Sequence, residues 1–109
     1  MLSAALRLGS SAQITQTLKS GRRYSSEYLV IHVNPIDGLS AFAFAVSKKV
    51  GNSVIRHRLT RQLRHIVHDN LAVLPPNIHV VVRALPHAHE ASFAQLDQAF
   101  KQAFAKVKA

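Results

Sequence analysis

The stretch AVSKKVGNSVIRHRLTRQLR, residues 45–64, decides the reading of this chain. On a helix that turns about 100° per residue, Ile55, Leu59, Leu63, Ile66 and Val67 gather on one side. His57, Arg58, Arg61, Arg64, His65 and His68 fan across the other side, with Arg56 at the border. One face is made to bury and the other to carry positive charge. Asn52 or Ser53 can cap the helix, which runs to about residue 70. Residues 47–51 form a basic connector in front of it, with Lys48 and Lys49 extending the same cationic surface.

Cations at a helix start oppose the macrodipole, at a cost of about 0.3–1 kcal/mol each. Helix stability alone would place acids there. The Arg56-His57-Arg58 cluster therefore points to a ligand, against the plainer alternative of a solvated basic face with no partner. Arginine suits a polyanion because its planar fork makes paired hydrogen bonds to phosphate and stacks on bases. Lys48 and Lys49 act more as point charges, and Asn52 with the free N–H groups behind the Gly51 turn can add a phosphate contact.

Composition agrees. The 109 residues suffice for one domain, 1–109, and 48 % of them are hydrophobic, enough for a core. Lys and Arg number 14 against 5 acids, a formal charge of +9, and such an imbalance favours nucleic acid as partner. The absence of Cys excludes disulfides and thiolate metal sites and fits a reducing cytoplasm. No apolar run reaches the length of a membrane span. Residues 1–26 contain no acid but include Arg7, Lys19, Arg22 and Arg23. That composition suits either a transit peptide or a first helix that touches RNA.

Outward from the basic helix, the pattern is mixed α and β. Ser10 or Ser11 can cap a helix to about residue 20, with Gly21 as its stop and Ile14 and Leu18 on one face. Residues 28–33 and 41–46 read as strands separated by an Asn34-Pro35-Ile36-Asp37-Gly38 turn. In the first strand Leu29, Ile31 and Val33 read as the core face, leaving Tyr28, Val30 and His32 on the other. Ala41, Ala43 and Ala45 give the second strand one small-residue face. After Pro75-Pro76 a third strand spans 78–83, and a helix spans 92–107. Ser92 and Gln95 have capping-box spacing, and Phe93, Leu96, Phe100, Ala103, Phe104 and Val107 make the helix's apolar stripe.

Other chemistries fit poorly. The acids Glu27, Asp37, Asp69, Glu90 and Asp97 are scattered, so no two-metal or acid–base nuclease constellation emerges. His65 with His68, and His87 with His89, lack the partners of a zinc site. A DNA-reading helix would follow a second helix across a short turn, whereas a strand and a Lys-Lys loop stand here.

The run VSKKVGNSV, residues 46–54, followed by Arg56-His57-Arg58, resembles the bacterial ribonuclease P protein subunit. That family carries V-S-K-K, then G-N-A-V, then R-N-R and K-R-x-x-R-E. The order of elements matches along nearly the whole chain. His57 replaces the central Asn and Thr60 the Lys, while Arg56, Arg58, Arg61 and Arg64 are kept. The resemblance implies an α+β, αβββαβα-type sandwich with a left-handed βαβ crossover, a fold shared with a domain of one ribosomal protein. It implies a cytoplasmic holoenzyme in which the RNA subunit, with Mg2+, hydrolyses precursor tRNA and the protein binds that RNA and the 5′ leader. Neither a membrane nor an obligate protein partner is expected. Lys48, Lys49, Arg56, His57, Arg58, Arg61 and Arg64 would face the RNA. The leader would lie in a cleft between the first helix and the sheet. The family often places two Phe on that helix, at positions held here by Ile14 and Leu18, and His32 would line the same cleft. Ile14 and Leu18 serve equally as core packing. The alternative function is a ribosomal or general RNA-binding protein with no part in cleavage.

Overall fold

The computed structural model describes residues 6–108. Helix α1 (Ser11–Ser20) leads into strands β1 (Arg22–Ser25), β2 (Leu29–Pro35) and β3 (Ala41–Ala45). Helix α2 (Ser53–Asn70), strand β4 (Ile78–Ala84) and helix α3 (Phe93–Ala105) follow, with short 3-10 turns at Leu71–Val73, Pro86–Glu90 and Lys106–Lys108. The order is the expected αβββαβα.

The four strands form one mixed sheet in the order β1-β2-β4-β3. β2 is antiparallel to β1 and β4, while β3 and β4 are parallel neighbours joined through α2. Central β4 contains Val80, Val81 and Val82, all fully buried. A strand covered on both faces needs such an unbroken apolar run rather than alternation.

The core divides by face. Leu29, Ile31, Val33, Phe42, Val80 and Val82 pack with Leu59, Leu63, Ile66 and Val67 of α2 and Leu96, Phe100 and Phe104 of α3. On the other face Val81 and Ala41 pack with Leu8, and Ile14 of α1 lies against them. The expected inner faces of β2 and α2 bury, and in β2 the opposite face buries as well, at Val30 and His32. Each such side chain contributes about 1.5–3 kcal/mol on leaving water.

The helix starts follow their caps. Ser10, Asn52 and Ser92 each accept a hydrogen bond from a backbone N–H three residues on, and Ser92 with Gln95 completes the capping box. Gly21 ends α1, but with φ −71° rather than in a left-handed cap. Glycine is required there by contact: a Cβ would stand 2.5 Å from the Thr17 carbonyl oxygen and 2.9 Å from that of Val33.

Four details go beyond the sequence reading. β1, implied by the resemblance but not visible in the local pattern, is a strand through its pairing with β2, since Arg22–Ser25 lacks an apolar alternation. β2 runs on to Pro35, since Asn34 and Pro35 pair with His79 and Ile78; a strand end tolerates the missing N–H. Residues 6–25 are built into the fold, with Leu8 and Thr17 buried. This packing fits the first-helix alternative, and residues 1–5 lie outside the described residues. Finally, Leu8 N–H donates to the Phe42 carbonyl at 2.7 Å, which lays the N-terminal segment along part of the free edge of β3.

Candidate nucleic-acid interface

The basic helix is launched from a pinned connector. Val50 is buried and its N–H bonds the Ser47 carbonyl at 3.0 Å, leaving Lys48 and Lys49 exposed on the turn. At Gly51 a Cβ would press to 3.0 Å on the Ile55 side chain. Asn52 is exposed, and its Oδ1 accepts the Ile55 N–H at 3.0 Å. Its first task is therefore to cap α2. The first turn of α2 contains no acid.

The basic side chains of α2 occupy three settings. His57, Arg61, His65 and His68 are exposed on the outer face. Arg58 is also exposed, but one of its guanidinium nitrogens donates to the His89 carbonyl at 3.4 Å and ties α2 to the turn before α3. Arg56 and Arg64 are half-buried, and the Nε of each is buried without a hydrogen-bond partner among the described residues. Arg64 lies 6.0 Å over the Phe44 ring, near enough for cation–π attraction. Helical periodicity alone had set Arg64 fully outward; β3 draws it in. The acid of α2, Asp69, sits 3.2 Å from His65 and 3.7 Å from His68. Among the described residues no carboxylate pairs with Arg56, Arg58, Arg61 or Arg64. Four guanidinium groups are thus held on one scaffold with their charge uncompensated.

The sheet face under α1 provides a second positive region. Burial falls along β3 from Ala41 through Ala43 to exposed Ala45, so the cover of α1 and its lead-in ends part-way along the strand. Ile14 is half-buried and, with Ala43 and Arg64, lines a groove of ≈280 Å³ that reaches the basic helix. Leu18 is 38 % exposed and does not line this groove, while Thr17 takes the fully buried position on α1. The expected pairing of Ile14 and Leu18 is therefore split: Ile14 packs against the core and Leu18 faces outward.

His32 is buried rather than open to a cleft. Arg23 stands opposite it in the β1–β2 register, and an Arg83 guanidinium nitrogen lies 3.3 Å from its Nε2. Arginine only donates, so Nε2 accepts and the ring proton sits on Nδ1, a buried atom with no partner among the described residues. Burial, then Arg83, then Arg23 push the imidazole below its usual 6.5. Arg23 and Arg83 escaped the sequence reading, since Arg22–Ser25 carries no strand pattern and Arg83 ended a strand of unknown neighbours.

This predicts a pH effect with a definite sign. Neutral His32 supports the fold above pH 6.5, where the unfolded side chain is neutral too. Below that value the unfolded chain takes up the proton first, so stability falls with pH until the folded imidazole also titrates. Denaturant unfolding from pH 8 down to about 5 should show His32→Gln losing less stability than the parent protein. Equal losses in the two proteins would show that His32 carries no such linkage.

Among the described residues no three His, Asp or Glu side chains come together as a metal site, and no helix is long and apolar enough to cross a membrane.

Residues 2–108 match the family pattern described as ribonuclease P. The chain is 42 % identical over 104 residues to the ribonuclease P protein component of Acidothermus cellulolyticus, covering 92 % of this chain and 86 % of that one. It is 39 % identical over 113 residues to the corresponding protein of a Nocardioides species, covering 100 % and 97 %. In fold it is similar to the RNase P protein of Staphylococcus aureus (TM-score 0.84, 21 % identity, 94 % and 95 % covered). It is likewise similar to that of Thermotoga maritima (TM-score 0.84, 22 % identity, 92 % and 96 % covered). Sequence match over almost the full length and the shared αβββαβα sandwich agree: the chain belongs to the ribonuclease P protein family.

Proposed function

We propose that this chain works in the cytoplasm as the protein component of a ribonuclease P holoenzyme, binding the catalytic RNA and the 5′ leader of precursor tRNA. RNA binding and tRNA 5′ processing follow from the family; the division of surfaces is our reading. The cationic side of α2, with Arg56, His57, Arg58, Arg61 and Arg64, takes the phosphates of ribonuclease P RNA, and Lys48 and Lys49 extend it. Asn52 keeps its amide NH2 for a phosphate while its oxygen caps the helix. The leader runs along the α1 side of the sheet, past Ile14, Leu18 and the Arg23–His32–Arg83 group. The carrying observation is the set of four α2 arginines without carboxylate partners among the described residues, backed by a fully buried inner face.

Phosphodiester hydrolysis belongs to the RNA in this reading, and Mg2+ is held there. The protein's carboxylates do not converge on a site among the described residues, so no step is routed through them. The protein's contribution is electrostatic: it offsets phosphate repulsion and holds leader and RNA in register.

Reconstitution tests this. The purified protein should cleave no RNA alone, and should raise cleavage of leader-bearing precursor tRNA when added to a bacterial ribonuclease P RNA at low Mg2+. Cleavage without that RNA would overturn the division of labour. Absence of stimulation would instead favour a general RNA-binding protein.

A further inference from the structure

Helix α3 opens on an aromatic ring that the core does not take. The apolar stripe read from sequence includes Phe93, yet Phe93 is 39 % exposed, while Leu96, Phe100 and Phe104 further along the helix are buried. Among the described residues it is the one phenylalanine left exposed. Its neighbours on α2 are polar. The His65 ring meets it near edge-on at 5.6 Å between centroids, inclined by 64°. Arg61, Gln62 and His65 line with it a shallow groove of ≈380 Å³.

The other large apolar side chains left exposed, Leu18, Leu39, Val54 and Val73, are aliphatic. Phe93 differs in offering a flat π surface, and in offering it beside a guanidinium and a carboxamide. Those are the groups that receive an unpaired nucleobase. The ring supplies stacking, which every base accepts. Arg61 can stack on the base or bond the adjoining phosphate, and the Gln62 amide can donate to and accept from a base edge. A protein ligand is less well matched, because Arg61 has no carboxylate partner among the described residues and the surrounding helix face is basic.

We propose that Phe93, with Arg61 and Gln62, forms a seat for one unpaired base of the RNA partner, extending the RNA surface from α2 onto the start of α3. This rests on the reading of α2 as an RNA-binding face, with which the seat is continuous through Arg61. The seat would direct binding toward RNA with loops or bulges, since a paired base has no free face to offer.

The chain contains no Trp, so Phe93→Trp introduces a single indole at the seat. Titrated with ribonuclease P RNA, this variant should bind with parent-like affinity and its emission should be quenched at saturation. A fully paired RNA duplex should leave the emission nearly unchanged. Phe93→Ala should bind ribonuclease P RNA about five- to a hundredfold more weakly with the same salt dependence, because stacking releases no counterions. Phe93→Leu, which keeps an apolar side chain, should be weakened almost as much. Parent-like binding by Phe93→Ala or Phe93→Leu, or an indole that ribonuclease P RNA does not quench, overturns the seat while leaving the α2 surface intact. If the parent protein itself fails to bind this RNA, the functional reading falls and the seat with it.

Discussion

Arg58→Ala/Arg61→Ala should bind RNA roughly ten- to a hundredfold more weakly near 0.1 M salt, with a salt dependence shallower by about one to two units of slope. Each phosphate neutralised by a guanidinium releases about 0.9 of a condensed counterion from a duplex and somewhat less from a single strand. Removing two such contacts therefore lowers both the affinity and its sensitivity to salt. The two positions are not equivalent. Arg61 is exposed on the outer face, whereas Arg58 also bonds the His89 carbonyl that anchors the turn before α3. The single Arg61→Ala variant separates the loss of RNA contact from the loss of the turn anchor, at about one unit of slope. Stability of the double variant, measured alongside, shows how much Arg58 contributes to the turn. Unchanged slopes in both variants would remove the outer face of α2 as the RNA contact.

Leu63→Ala should destabilise the fold by about 2–5 kcal/mol. Leu63 is fully buried where α2 meets the core, and truncation loses transfer energy and leaves a cavity that a packed core closes only in part. Domains of this size have about 5–15 kcal/mol in total, so the loss should appear as a fall of more than about 8 °C in Tm. RNA binding should survive at low temperature and fail as the variant unfolds, because the arginines bind as a set only while α2 is seated. A denaturant midpoint equal to the parent's would contradict the packing of α2 described above. So would loss of RNA binding in a folded variant.

Most of the α2 surface was legible in the sequence. The caps at Asn52 and Ser92, the inner face Leu59-Leu63-Ile66-Val67 and the exposed His57, Arg58 and Arg61 follow from spacing within a few turns. The same reasoning stopped at the edges of the helix. It put Arg64 outward, though Phe44 on β3 draws it in. It put Phe93 in the core stripe, though the α2 residues opposite are Arg61, Gln62 and His65. Both differences arise on neighbouring elements, which a helical wheel does not contain. The α1 side was less legible still: Ile14 and Leu18 share a helical face, but the buried position goes to Thr17. At Gly21 the residue type marked the helix stop, while glycine is needed there because the Thr17 and Val33 carbonyls approach so closely.

By itself, the sequence determined the polyanionic class of partner, the positions of the helices and the separation of apolar from cationic residues on α2. These depend on charge and on interactions spanning a few residues, which the chain order states directly. Only the tertiary structure decided that Arg22–Ser25 is a strand, that Arg23 and Arg83 flank a buried His32, and that one phenylalanine stays in solvent beside an arginine. Strand pairing and helix docking join residues distant in the chain, and their energy depends on which surfaces meet rather than on any local pattern.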